Sequence, residues 1–372
     1  MVKKMKILII GNGFDLAHDL PTSYPDFLDF VKAWITGSAG SCFADEINEH
    51  VNTNSRLLLY FLEIYKNRCE AGKRGWIDFE NEIATIVRAL NEARSLLLEQ
   101  KNKGHEISLP PSISHIVKEV LLVDEDGTGK GDLFPNNFED GKVEDLLDGL
   151  NRLTRLLEIY LYEFVEKREV SKRLPEILGQ RFTHVLSFNY TDTYRRLYDT
   201  DDKAQYCYIH GEVKEQSNLE DCNLVLGINE YLEESERESE NPFVWFKKFY
   251  QRIYKATGSE YIDWLEGFEE FIHRTGGRGY KNKNEVFIYG HSLDVTDKDV
   301  LSRFILEDKT TTYIYYLDKK DLAKKIENLE KVIGQAELIH RTGGKSRSIH
   351  FLKVGTLPEE DETERQIREA LE

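Results

Sequence analysis

Four short segments concentrate the residue types that can hold or transform a ligand: Gly11-Asn12-Gly13-Phe14-Asp15, Asn189-Tyr190-Thr191-Asp192, His210-Gly211 and Gly290-His291-Ser292-Leu293. Glycines at a strand-to-helix turn let backbone N–H groups approach a phosphate, and a helix N-terminus adds partial positive charge. The dinucleotide fingerprint would put a third glycine at position 16, where this chain has Leu16. Asn189 carries both a donor and an acceptor, so it can orient a ribose hydroxyl or a water. Taken alone it fits an Asx-turn or a helix cap equally well. An imidazole with an unperturbed pKa of about 6.5 suits His210 to general-base work near neutral pH, although a lone histidine also serves as a structural or surface residue. Gly290, His291 and Ser292 form a turn able to meet a second phosphate or ribose. Asp297 can join them, or simply cap the helix expected to start there.

These segments need elements to position them. Apolar, β-branched or aromatic runs predict strands at Lys6–Ile10, His184–Asn189, Cys207–His210, Leu224–Ile228, Val286–Tyr289, Thr312–Leu317 and Ile349–Val354. Several are continuous apolar runs, as in a sheet covered on both faces. From about Tyr24 to Arg181 the pattern changes to helical spacing, as in SRLLLYFLEIYKNRCEAG, WIDFENEIATIVRALNEARSLLLEQ and VEDLLDGLNRLTRLLEIYLYEFVEKRE. The turn-rich DEDGTGKGDLFPNNFEDGK between them reads as a loop. A second helical stretch runs from about Tyr231 to His273. It opens with the acidic run Glu233–Glu240, read as a solvated face, and continues with an aromatic stripe. Phe243, Phe246, Phe249, Tyr250, Ile253 and Tyr254 in that stripe are expected in the core, with Lys248 and Gln251 facing a cleft beside it.

The layout is a single α/β domain over 1–372. A Rossmann-like, mostly parallel sheet is built from 1–35, 180–230 and 284–356. A large helical insertion (36–179) follows the first strand–helix unit, and a smaller one covers 231–283. The strand ends GNG, FNYT, IHG and GHSL fall at edges that a doubly wound sheet brings together.

Composition narrows the ligand. The chain of 372 residues has 67 acidic against 50 basic side chains, a net charge of -17. That balance repels a phosphate backbone, and no strong basic cluster offsets it, so nucleic acid is not the expected partner. Four scattered cysteines without C-x-x-C spacing suggest reduced thiols in the cytoplasm, with neither a zinc ribbon nor a disulfide framework. No run approaches the ~20 apolar residues of a membrane span. The start, MVKKMKILIIG, lacks the cleavage site of a signal peptide.

The blocks GNGFDLAHDLPTSYPDFL, WxDFE at Trp76–Glu80, SFNYTDT, YIHGE, LVLGI and YGHSLDVTDKDVL resemble the AbiH family of bacteriophage abortive-infection proteins, from Met5 to about Leu301. More remotely, their order is similar to the sirtuin-like NAD-binding superfamily. There a G-A-G turn, a G-I-P or G-L-P segment, N-Y-D, H-G and G-T-S-L or G-Y-S-L succeed one another. Gly11-Asn12-Gly13, Asp19-Leu20-Pro21, Asn189-Tyr190-Thr191, His210-Gly211 and Gly290-His291-Ser292-Leu293 take these places, with Asn12 for Ala, Asp19 for Gly and Thr191 for Asp. The paired C-x-x-C motifs of the deacylating members are missing.

The resemblance implies an anti-phage effector that hydrolyses NAD to nicotinamide and ADP-ribose, NAD being substrate rather than cofactor. It implies Asn189 and His210 as catalytic residues at the nicotinamide ribose. Gly11, Asn12, Gly13, Phe14, Asp15, Thr191, Gly290, His291, Ser292 and Asp297 would hold the nucleotide, and no metal is expected. A phage-derived trigger and a homo-oligomer are further expectations from the resemblance. Two alternatives stay open: a sensor that binds NAD or ADP-ribose without turnover, and a toxic nuclease.

Overall fold

The computed structural model describes residues 4–52, 56–72, 78–103, 110–121, 140–215, 217–228, 243–275, 284–344 and 347–358. Six parallel strands form one sheet: β1 (Lys6–Ile10), β2 (His184–Ser187), β3 (Gln205–Tyr208), β4 (Asn284–Tyr289), β5 (Thr310–Tyr316) and β6 (Ile349–Lys353). Their order is β3-β2-β1-β4-β5-β6. This is the doubly wound order, in which the winding direction reverses between β1 and β4 and opens a crevice at the strands' carboxyl ends. Register pairs Ile9 with Leu186 on one side and with Ile288 on the other.

Both sheet faces are covered, which is why the strands read as unbroken apolar runs. One face buries Ile7, Ile9, Leu186, Cys207, Val286, Ile288 and Ile314. Helices α10 (Glu260–Thr275), α11 (Lys298–Ile305), α12 (Lys319–Ile333) and α13 (Gln335–Thr342) supply side chains to that layer. The other face buries Leu8, Ile10, Phe287 and Tyr315. Phe14 of α1 (Asn12–Ala17), Tyr194 of α8 (Thr193–Tyr198) and the turn around Leu174 and Ile177 lie against it.

A separate core is built by α2 (Tyr24–Ile35), which precedes the insertion, by the insertion's α3 (Ala44–Asn52), α4 (Arg56–Glu70), α5 (Phe79–Lys103), α6 (Pro111–Leu121) and α7 (Asp140–Leu161), and by Leu224, Leu226, Ile228, Phe243 and Phe246. Ser23 and Asp26 form a capping box that starts α2, with Pro25 in its first turn. Helix α7 runs into a π-helical turn, Tyr162–Glu166. Most of the turn-rich loop, at 122–139, and the acidic run Glu233–Glu240 lie outside the described residues, as does Trp76.

Two expectations are corrected. Leu224–Ile228 is not a strand of the sheet; its backbone is bound instead by α9 (Lys248–Tyr254) and the turn before it, by His210 O, and by the side chains of Tyr190 and Lys255. Gln251 accepts from Leu226 N–H (3.1 Å) and donates to Leu226 O (3.0 Å), while Ile228 N–H donates to Phe246 O (2.8 Å). A side-chain amide thus satisfies the peptide group that a neighbouring strand would otherwise bond. The aromatic stripe is only half core. Phe243 and Phe246 are buried, whereas Phe249, Ile253 and Tyr254 are exposed, and Lys248 and Gln251 point inward. The polar face of α9 is therefore its buried one.

Candidate functional site

The carboxyl ends of β1, β2, β3 and β4 converge where the winding reverses. After β1 the chain turns at Gly11-Asn12-Gly13 into α1. Gly11 N–H donates to Tyr289 O (3.1 Å) and Gly13 N–H to Gly290 O (2.9 Å). A Cβ on Gly13 would sit 2.7 Å from Gly290 Cα, and one on Gly290, whose φ is +68°, would sit 2.1 Å from Phe14 N. These glycines are required because two backbones touch there. Their N–H groups face β4, so among the described residues the turn's uncommitted N–H is that of Asn12.

From β2, Asn189 donates through Nδ2 to Gly11 O (3.0 Å), and its buried Oδ1 has no partner. Asp15 on α1 is 1% exposed and accepts from Thr191 Oγ1 (2.6 Å), which in turn accepts from Thr193 Oγ1 (3.2 Å). Burial pushes the Asp15 carboxyl up to about 6, against the pull of Thr191, Thr193, Asn189 and Arg196. Its Oδ1 is buried without a partner. Two acceptor oxygens, from Asn189 and Asp15, are thus left unsatisfied in one buried neighbourhood, a costly arrangement that calls for a donor.

From β3 comes His210, buried, with Nε2 3.6 Å from Asp297 Oδ1. From β4 comes His291. Leu293, buried in a left-handed conformation (φ 59°), turns its N–H onto His291 Nδ1 (2.9 Å). Nδ1 is therefore the acceptor nitrogen, and in the neutral ring the hydrogen sits on Nε2, 3.4 Å from Asp297 Oδ2. Phe188 packs its edge or face against both imidazoles, at 5.5 Å from His210 and 4.3 Å from His291.

Asp297 stands at the N-terminus of α11, but its side chain makes no capping bond. Asp294 accepts from Thr296 N–H (3.1 Å) and caps the short 3-10 turn Val295–Asp297 that leads into α11, while the Asp297 side chain faces the histidines. Burial opposes its charge; Lys248, His210 and His291 outweigh that and hold it well below the usual carboxylate range. Burial first, then Lys248, pushes His210 down to about 4, so the ring is neutral at pH 7.

Asn189, His210, His291, Asp297, Asp15 and Thr191 are therefore assembled around the glycine turn. Phe14 is not: its ring is core, set against His18 (4.6 Å) and Tyr289 (5.7 Å). Ser292 is exposed, and Asn12 Oδ1 is held by Thr22 Oγ1 (2.6 Å).

Two further charged residues belong to the site: Lys248, expected from sequence only to face a cleft, and Glu80, which sequence did not single out. Lys248 Nζ lies 2.7 Å from Glu80 Oε2 and 3.4 Å from Asp297 Oδ1. Glu80, in the first turn of α5, brings the insertion into the site; burial pushes its carboxyl up to about 7 while Lys248 pulls it down. Helical patterning hides Glu80 as one charge among many. Its one signal is the DFE block. Among the described residues no three His, Cys, Asp or Glu side chains are grouped as a metal ion would need.

No helix among the described residues is long and apolar enough to cross a membrane. No curated protein matches the chain. The family model for bacteriophage abortive infection AbiH matches residues 7–316, and so covers the sheet through β5 together with both groups of inserted helices. On that match the chain belongs to the AbiH family of bacteriophage abortive-infection proteins.

Proposed function

We propose that this abortive-infection protein cleaves NAD to nicotinamide and ADP-ribose. The observation that carries the reading is the His210–Asp297 pair beside Asn189, at the crevice where an open α/β sheet binds nucleotides. In the reaction the C1′–N bond breaks, its electron pair leaves with nicotinamide, and a water oxygen bonds C1′. The water's proton goes to His210. Asp297 favours the tautomer with hydrogen on Nε2, which leaves Nδ1 free to accept it, and stabilises the imidazolium that results. The cleft must stabilise an oxocarbenium-like ribose, as glycoside cleavage does, and the Asp15 and Asp297 carboxylates suit that developing positive charge. Asn189 Oδ1, buried and unpartnered, would accept from a ribose hydroxyl or from the attacking water, converting a loose encounter into an oriented one.

Nicotinamide released from NAD by the purified protein tests the reading, beside Asn189→Ala and His210→Ala. Release by wild type and its loss in both folded variants supports it. Retained release in His210→Ala removes the assigned base. Calorimetric binding of NAD without release would make the protein a nucleotide sensor, and no binding would end the nucleotide reading.

A further inference from the structure

Lys248 and Glu80 take no part in the steps above, yet Lys248 places a charge at depth. An ammonium 2% exposed persists only with close partners. Lys248 has two: Glu80 Oε2 at 2.7 Å and Asp297 Oδ1 at 3.4 Å. Asp297 Oδ1 is also the oxygen nearest His210 Nε2, at 3.6 Å, whereas Oδ2 faces His291. Lys248 and His210 therefore share one carboxylate oxygen.

The placement of Lys248 does not follow from apolar burial. Helix α9 turns Phe249, Ile253 and Tyr254 outward, at 47%, 77% and 78% exposure, and turns Lys248 and Gln251 inward. Gln251 fixes the helix through Leu226 N–H, Leu226 O and Trp245 O. The partner Glu80 comes from the insertion, not from the sheet.

We propose that Lys248 is a positioning residue: bridging Glu80 and Asp297, it draws Asp297 away from a full ion pair with His210, so that the insertion sets how readily His210 accepts a proton. The functional meaning rests on the reading of His210 as the base. His210 is faced by Asp297, by Lys248 and Arg252 of α9, and by the rings of Phe188 and Tyr190; Arg252 is itself paired with Asp299. Lys248 is faced by Glu80, Asp297 and Tyr190, and Asp297 by Lys248, His210 and His291.

The test is an NMR titration of the His210 ring, assigned with His210→Gln, in the full chain carrying Lys248→Met, Glu80→Gln or both. Lys248→Met removes a neighbouring cation and frees Asp297, so the His210 pKa should rise by about 1–3 units. Glu80→Gln leaves Lys248 wholly to Asp297 and should not raise it. The double variant removes the buried ammonium together with its carboxylate partner, which protects folding, and should again raise it. A pKa unmoved in Lys248→Met and the double variant overturns the proposal, as does an equal rise in Glu80→Gln. The pH profile of nicotinamide release separates the two claims. Where release occurs, its acid limb should move up with His210 in Lys248→Met. Expected titrations without any release by wild type would overturn the reading of NAD cleavage and leave the role of Lys248 standing. Release with unmoved titrations would overturn the role of Lys248 alone.

Discussion

Asp15→Asn should stabilise the folded protein far more at alkaline than at acid pH. The folded carboxyl holds its proton to about pH 6, whereas the unfolded one releases it near 3.8. Between those values the folded state binds more protons, so stability falls as pH rises and the full penalty is present above pH 6. A shift of this size corresponds to about 3 kcal/mol at 1.36 kcal/mol per unit. Asparagine is isosteric, and its amide oxygen still accepts from Thr191 Oγ1, so little packing is lost. At pH 4.5 the folded carboxyl is protonated while the unfolded one is largely ionised, so about 1 kcal/mol of the penalty is already present. The substitution should then stabilise by only about a third of its effect at pH 8. The assay is denaturant unfolding of wild type and variant at pH 4.5 and pH 8, compared as a difference of differences so that all other titrating groups cancel. With an unfolding entropy of about 0.8 kcal/mol/K for a chain of this length, the gain corresponds to a rise of roughly 4 °C in Tm at pH 8. A variant equally stable relative to wild type at both pH values, or less stable at pH 8, would refute the reasoning. A carboxylate kept buried in the site at such a cost fits work done by its charged form.

Two further substitutions separate backbone fit from charge pairing. Gly290→Ala drives a Cβ to 2.1 Å from Phe14 N and should cost more than about 4 kcal/mol, against about 1–2 for Gly37→Ala, where φ is +71° but nothing lies within 4 Å. Comparable melting of the two by circular dichroism would show that the β1–β4 backbone contact is not limiting. Arg155→Leu leaves Glu158, fully buried, without its cation partner at 2.7 Å and cuts Arg155 away from Glu46 and Ser217 O. Breaking such a pair should cost about 3–5 kcal/mol, and protease cleavage within the insertion should accelerate; unchanged proteolysis would refute it.

Apolar continuity marked β1, β2, β3, β4, β5 and β6 because a parallel sheet buries both faces, and helical spacing marked the insertion for the same reason applied to one face. Leu224–Ile228 carried the same apolar signal and is no strand. Its burial comes from the core shared with the insertion, and its hydrogen bonds come from Gln251, Phe246 O, His210 O, Tyr190 and Lys255, partners that composition cannot name. The stripe on α9 misled for a related cause: spacing shows which residues share a face, not which face is buried. Asn189, His210 and Asp297 were legible because each ends or follows a strand that the doubly wound order brings to one edge. Lys248 and Glu80 lie in helices distant in sequence, and nothing local marks an ammonium that will sit between two carboxylates.

Residue type and order by themselves marked all six strands of the sheet (and Leu224–Ile228 with them), the family, and the polar residues at the strand ends, because those follow from local periodicity and from short contiguous blocks. Tertiary structure alone decided that Gly11 and Gly13 turn their N–H groups to β4, that Asp297 turns its side chain to the histidines, and that Glu80 reaches Lys248. Each of these depends on contacts across many residues of separation, where geometry rather than spacing sets which groups meet.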